Sequence, residues 1–190
     1  MKQMFSIPRY PGETVALAFR WWTIFLSILA VGVLSGNVFN IMFARSDSLP
    51  GTFFLVNNLT QKETISKGEL VLFCPPLAVF EKHRLSNYLP YYLPLNSCYG
   101  HTNLLKKVVA TTGDTVVIDA SGIHVNGSFV ENSVPSEEDR KGRLLRRAWF
   151  DGVLAGNEFV VAGKHAKSLD SRYVGIVSRS WIKAKARRLF

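Results

Sequence analysis

Between Trp21 and Phe43 the chain runs 23 residues without a charge, rich in Ile, Leu, Val, Phe and Ala. As a helix this run would be roughly 35 Å long, enough to cross a hydrocarbon core of ~30 Å. Trp21 and Trp22 stand at its start, where amphipathic rings favour the headgroup level, while Asn37 and Asn40 weaken its last turns. A cleaved leader is the rival reading, but its apolar region is shorter, about 7–15 residues. A retained anchor over 21–43 is therefore expected. Lys2, Arg9 and Arg20 precede the run and only Glu13 opposes them, so residues 1–20 are expected to form a cytoplasmic tail. Arg45 lies on the far side, and residues 44–190 should form one domain outside, which in a bacterium is the periplasmic face of the inner membrane.

The remainder is long enough for one core. Short apolar runs separated by turn residues replace the long one: Thr52–Val56, Leu70–Phe73, Leu104–Ala110, Thr115–Ile118, Ile123–Val125 and Phe159–Val161 read as strands. Thr112-Gly113-Asp114 marks a turn. Asn126-Gly127 marks a hairpin, because a type I′ turn needs positive φ at both central residues. Phe80–Tyr92 is aromatic and irregular, and Ser133–Arg147 reads as a solvated loop or short helix. A mostly-β domain behind one N-terminal transmembrane helix is the expected fold.

Two cysteines exclude a disulfide-dense miniprotein and a four-cysteine zinc site. His83, His101, His124 and His165 are scattered, without the spacing of a metal site or the setting of a catalytic triad. Neither a metal nor a cofactor is expected. Chemistry must then come from elsewhere. Ser48-Leu49-Pro50-Gly51 falls just beyond the apolar run, where Pro and Gly can fix a serine at a bend; read alone, it is a juxtamembrane linker. Leu104-Leu105-Lys106-Lys107-Val108-Val109-Ala110 puts two lysines in an apolar strand, where desolvation favours the neutral amine that a serine's base must be. Leu104, Val108 and Ala110 share the Lys106 face, Leu105 and Val109 the Lys107 face, so alternation does not choose between the lysines.

Three ordered stretches carry a resemblance: Ser46-Asp47-Ser48-Leu49-Pro50, Lys106 to Asp114, and Ser168-Leu169-Asp170-Ser171-Arg172-Tyr173. A serine after an anchor, a strand lysine 58 positions later and then Gly113-Asp114 resemble the type I signal peptidase family, serine endopeptidases with a Ser/Lys dyad. The resemblance implies that Ser48 is the nucleophile and Lys106 the general base. Ser46 and the Ser48 backbone N–H would hold the oxyanion, Ser168 would orient the lysine, and Asp170 and Arg172 would form a structural ion pair. Ser48-Leu49-Pro50 is one residue tighter than in general signal peptidases. Gly163 to Ser168 is one residue shorter and lacks their acidic, Asn-rich pattern. Both departures resemble the conjugative-transfer branch, the TraF-type peptidases that mature pilin subunits, and Phe73-Cys74-Pro75-Pro76 with Cys98 fits that branch. On an oxidising face Cys74 and Cys98 can pair; two buried thiols are the alternative.

The implied partners are a membrane-embedded precursor, a prepilin by resemblance, and the lipid bilayer. The precursor would be cleaved, or cyclised by its own amine. A non-catalytic, membrane-anchored component of a conjugation or secretion channel is the alternative. The +9 charge and the tail Lys183 to Arg188 raise nucleic acid as a further partner, but an outside domain seldom meets it. Attraction of that tail to anionic headgroups is the simpler expectation.

Overall fold

The computed structural model describes residues 19–31, 41–43, 53–60, 62–89, 97–139 and 141–189. The chain divides into Met1–Asn40 and Ile41–Phe190. In the first unit, residues 19–31 are helical (α1). Trp21, Trp22, Phe25, Ile28 and Leu29 are exposed on it. Its hydroxyls bond inward: Thr23 Oγ1 donates to the Arg20 carbonyl at 2.8 Å and Ser27 Oγ to the Thr23 carbonyl at 2.8 Å. Among the described residues no helix is long and apolar enough to cross a membrane. The expected tail over 1–20 lies almost wholly outside the described residues, as does the part of the expected span from 32 to 40.

The far end of that span is corrected. Ile41–Phe43 is a strand, β1, paired antiparallel with β2 (Phe53–Asn58), so no helix reaches Phe43. Three apolar residues at the end of an apolar run carry no period that separates helix from strand.

The second unit is two antiparallel sheets. The further strands are β3 (Leu70–Phe73), β4 (Leu104–Ala110), β5 (Thr115–Asp119), β6 (Gly122–Val125), β7 (Ser128–Phe129), β8 (Phe150–Val153), β9 (Glu158–Ala162), β10 (Val177–Ser178) and β11 (Ile182–Arg188). The larger sheet has the order β1-β2-β11-β3-β4-β9-β10 and the smaller β7-β6-β5-β8. Among the described residues, two short α-helices, α2 (Leu77–Lys82) and α3 (Ser171–Val174), accompany the sheets.

Both faces of the larger sheet are covered at its centre, which is why β3 and β4 read as continuous apolar runs. Val71, Phe73, Leu104 and Val108 belong to one core cluster. Leu72 and Leu105 point the other way, to Phe54, Ala184 and Ala186. A third cluster joins the smaller sheet to β9 through Val116, Ile118, Ile123, Leu154 and Val160. A bulge at Val109 opposes two residues of β4 to one of β9, and it sends Ala110 into this third cluster. The expectation that Ala110 shares the face of Leu104 and Val108 therefore fails, because a bulge breaks the period of two.

The β6–β7 hairpin turns at Asn126 (φ 50°) and Gly127 (φ 78°), the two left-handed residues of a type I′ turn. The turn at Gly113 (φ 87°) leads from β4 into β5. Asp114 holds it: its carboxylate accepts from Thr111 N at 2.8 Å, Asn126 Nδ2 at 2.8 Å and Lys67 Nζ at 2.6 Å. Its acidity is raised by these donors against a desolvation that works the other way.

The basic tail is corrected most. Residues 183–188 are not a free tail but most of β11, between β2 and β3. Ala184 and Ala186 are buried, and Lys185 pairs with Glu69 at 2.8 Å. Alanine and cation alternate with period two, the signature of a strand with one covered face.

Candidate active site

Lys106 sits in the middle of β4, opposite Val71 of β3. Its neighbours at spacing two, Leu104 and Val108, place it on the face of the first core cluster. It is 5% exposed, whereas Lys107, opposite Leu70 and Ala162, is exposed. The structure thus separates two lysines that alternation could not. Lys106 Nζ donates to the Leu105 carbonyl at 3.0 Å. An ammonium carries three donors, and one acceptor does not replace its water. Burial accordingly lowers the Lys106 pKa from 10.5 to about 8; the nearby Asp170 carboxylate raises it and the Arg172 guanidinium lowers it again. Because Asp170 is paired with Arg172, its charge is largely offset at Lys106, and desolvation dominates.

The second part of the site follows β9. Gly163 N, just past the strand, donates to Asp170 Oδ2 at 2.8 Å. Asp170 caps α3 through Arg172 N at 3.2 Å and is bonded by Arg172 Nε at 2.8 Å and Nη2 at 2.6 Å. Both side chains are fully buried. Arg172 also donates to the carbonyls of Ala166 (2.8 Å), His165 (2.9 Å) and Asn132 (3.0 Å). One guanidinium therefore fixes the 163–168 segment and the 132–134 segment against α3. A bidentate pair with its spare donors satisfied is the form in which buried charges are tolerated.

Ser168 is 2% exposed, and its Oγ has no hydrogen-bond partner among the described residues. Its neighbour Leu169 packs against the cluster that contains Leu104 and Val108. So the 168–172 segment and the Lys106 face meet in one core region. Ser46 and Ser48 lie outside the described residues.

The histidines occupy other surroundings. His101 Nδ1 is 3.0 Å from the Leu89 carbonyl, the His124 ring packs on Phe129, and His165 Nδ1 accepts from Lys167 N at 3.0 Å. His83 lines a separate groove described below. Among the described residues no three of His, Cys, Asp and Glu converge on a metal position. Cys74 and Cys98 form a disulfide, which ties the end of β3 to the turn before β4.

Sequence reasoning missed the role of Tyr173, whose hydroxyl accepts from Ser136 N at 2.8 Å and pins the loop after β7. It also missed the reach of Arg172 to Asn132. Neither has a local signal, since each partner lies some forty residues away.

A buried lysine of lowered pKa, a buried serine hydroxyl and a capped ion pair thus come together on a mostly-β scaffold. The family model described as signal peptidase, peptidase S26, matches residues 15–190. The chain belongs to this peptidase family. Two plasmid transfer proteins TraF of Escherichia coli are each 34% identical to it, over 132 and 122 residues; the matches cover 67% and 62% of this chain and 72% and 67% of theirs. A conjugal transfer protein TraF of Agrobacterium tumefaciens is 30% identical over 168 residues, 88% of this chain and 90% of its own. A crystal structure of a signal peptidase I from Enterococcus faecalis overlaps 64% of this chain and 96% of its own at 14% identity, with a TM-score of 0.35.

Proposed function

We propose that this chain is a membrane-anchored serine endopeptidase in which Ser48 is the nucleophile and Lys106 the general base. The observation that carries the reading is Lys106: one lysine of an adjacent pair, buried in an apolar face, with its pKa lowered to about 8. A base is most effective when its pKa lies near the working pH, and a lysine reaches that range by burial. Neutral Nζ takes the proton of Ser48 Oγ as that oxygen attacks the scissile carbonyl carbon. The Ser48 backbone N–H and the Ser46 hydroxyl hold the oxyanion, which develops only in the transition state. The lysine ammonium then gives its proton to the departing amine and leaves an acyl ester on Ser48. Water releases a cleaved chain, and an amine of the same substrate releases a cyclic one. The unpartnered Ser168 Oγ supports a role in orienting the Lys106 amine.

The anchor reading is supported by α1, whose apolar side chains are exposed and whose hydroxyls bond back to its own carbonyls, as helices in hydrocarbon require. It places residues 1–20 in the cytoplasm and the β domain in the periplasm, with the site beside the exported part of a membrane-embedded substrate. The names of the TraF relatives, plasmid and conjugal transfer proteins, support conjugation as the setting; a pilin precursor as the substrate rests on the resemblance to the TraF-type branch. Incubating wild type, Ser48→Ala, Lys106→Ala and Lys107→Ala with a pilin precursor, read by intact mass, tests this. Loss of processing in the first two variants with near-normal rates in Lys107→Ala is expected; an active Ser48→Ala refutes it. Hydrolysis gives the precursor mass less the departed fragment as a linear product, and cyclisation gives a product one water lighter than that linear one.

A further inference from the structure

Apart from the Lys106 region, the β domain has a groove of about 760 Å³ between the end of α2 and the loop before β8. Lys82, Arg84, Arg143, Arg146 and Arg147 line it, against the single carboxylate Glu137. We propose that this groove is a binding site for an acidic segment of a polypeptide.

Its walls are fixed before anything enters. Tyr88 Oη donates to the Leu144 carbonyl at 2.9 Å, Arg143 Nη1 donates to the Asn87 carbonyl, and the Arg143 guanidinium lies 4.6 Å from the Tyr88 ring centre. Asp139 takes Arg143 Nε at 2.7 Å, so this arginine serves as a strut. Arg147 faces Glu137 at 3.9 Å. The side chains of Lys82, Arg84 and Arg146 have no carboxylate or hydrogen-bond partner among the described residues, which leaves three cations for a ligand. Two of them, Lys82 from one wall and Arg146 from the other, act on one ring: burial first and then these charges hold the His83 imidazole below its usual range. The His83 Nδ1 is buried without a hydrogen-bond partner among the described residues. Arg84 keeps a left-handed backbone (φ 48°, ψ 44°), a strained state for a residue with a side chain.

Arginine forks suit carboxylates, and pre-placed forks bind with less loss of freedom. A bilayer presents a plane, but these cations face one another across a recess that an extended chain can enter. The loop that forms the second wall continues into Ala148, whose N–H donates to the Arg172 carbonyl at 2.7 Å, so the groove and the 168–172 segment share a rigid support.

Fluorescein-labelled octaglutamate titrated into the full chain in neutral detergent micelles, followed by anisotropy, tests the site without any cleavage. It therefore fails or succeeds independently of the peptidase reading. Arg84→Glu with Arg146→Glu should weaken binding about tenfold or more, and Lys183→Glu with Arg187→Glu on β11, an equal change of charge, should leave it within about twofold. Arg84→Gln with Arg146→Gln should give an intermediate loss, and it preserves the test if the reversal does not fold. Unlabelled octaglutamate should displace the probe and dihexanoyl phosphatidylglycerol at equal charge should not. No binding by wild type, equal losses in the groove and β11 variants, or displacement by the lipid overturns the proposal.

Discussion

Replacing Lys106 by methionine isolates the cost of keeping an amine in the core. Its pKa falls from 10.5 to about 8 in the folded chain, and a fall of that size corresponds to about 3 kcal/mol. Below about pH 8 the lysine is charged in both the folded and unfolded chains, so the folded state bears the whole penalty. From pH 8 towards 10.5 the folded chain has lost the proton and the unfolded chain has not, so stability rises with pH. Methionine fills a similar length, has no charge and shows no such slope. It forfeits the bond to the Leu105 carbonyl, a loss of about 1 kcal/mol that is the same at every pH. The stability of Lys106→Met relative to wild type should therefore fall by about 2.5 kcal/mol between pH 7 and pH 10, or about 5–10 °C in Tm for a domain of this size. Thermal unfolding of both full-length proteins in micelles, followed by tryptophan fluorescence across that range, measures it. A difference in Tm that stays constant with pH refutes the desolvation argument.

Ser168→Ala should leave the unfolding midpoint unchanged or raise it, by up to about 1 kcal/mol, since it removes a buried hydroxyl without a partner. The same variant should shift the midpoint of the pH–rate profile, which a purely structural serine would not do. Arg172→Met should destabilise the domain by about 3–5 kcal/mol, because it strands the buried Asp170 carboxylate along with the carbonyls of His165 and Ala166. Urea titration reads this, and an effect below about 1 kcal/mol would contradict it. Cys74→Ser with Cys98→Ser opens a link across 24 positions and should cost about 3 kcal/mol, checked by the same titration against wild type.

Much of the scaffold was legible locally. β3 and β4 match their apolar runs residue for residue, and Asn126-Gly127 marks the turn that it makes. Elements whose evidence lies in partners were not. β11 alternates alanine with cation, yet small side chains give a weak hydrophobic signal, and only its place between β2 and β3 buries Ala184 and Ala186. β1 was hidden at the end of a longer apolar run, and β8 pairs through Phe150, Asp151, Gly152 and Val153, a sequence without clean alternation. In the site, strand alternation put two lysines in an apolar strand without choosing between them, and only the family resemblance pointed to Lys106. Because both faces of β4 are covered, burial was decided by what lies beyond the strand: Lys106 turns to the core with Val71, and Lys107 does not. The ion pair of Asp170 and Arg172 is local, two residues apart, and could be read from spacing; of the five backbone carbonyls that Arg172 serves, those of Asn132 and Val134 lie some forty residues away and could not.

The most direct measurement is kcat/KM for precursor cleavage by the full-length chain as a function of pH. With a neutral amine as base, the rate should climb about tenfold per pH unit below a midpoint near 8 and level off above it. A profile flat from pH 6 to pH 9, or one that levels off near the ordinary histidine range of about 6.5, would contradict a lysine base at position 106.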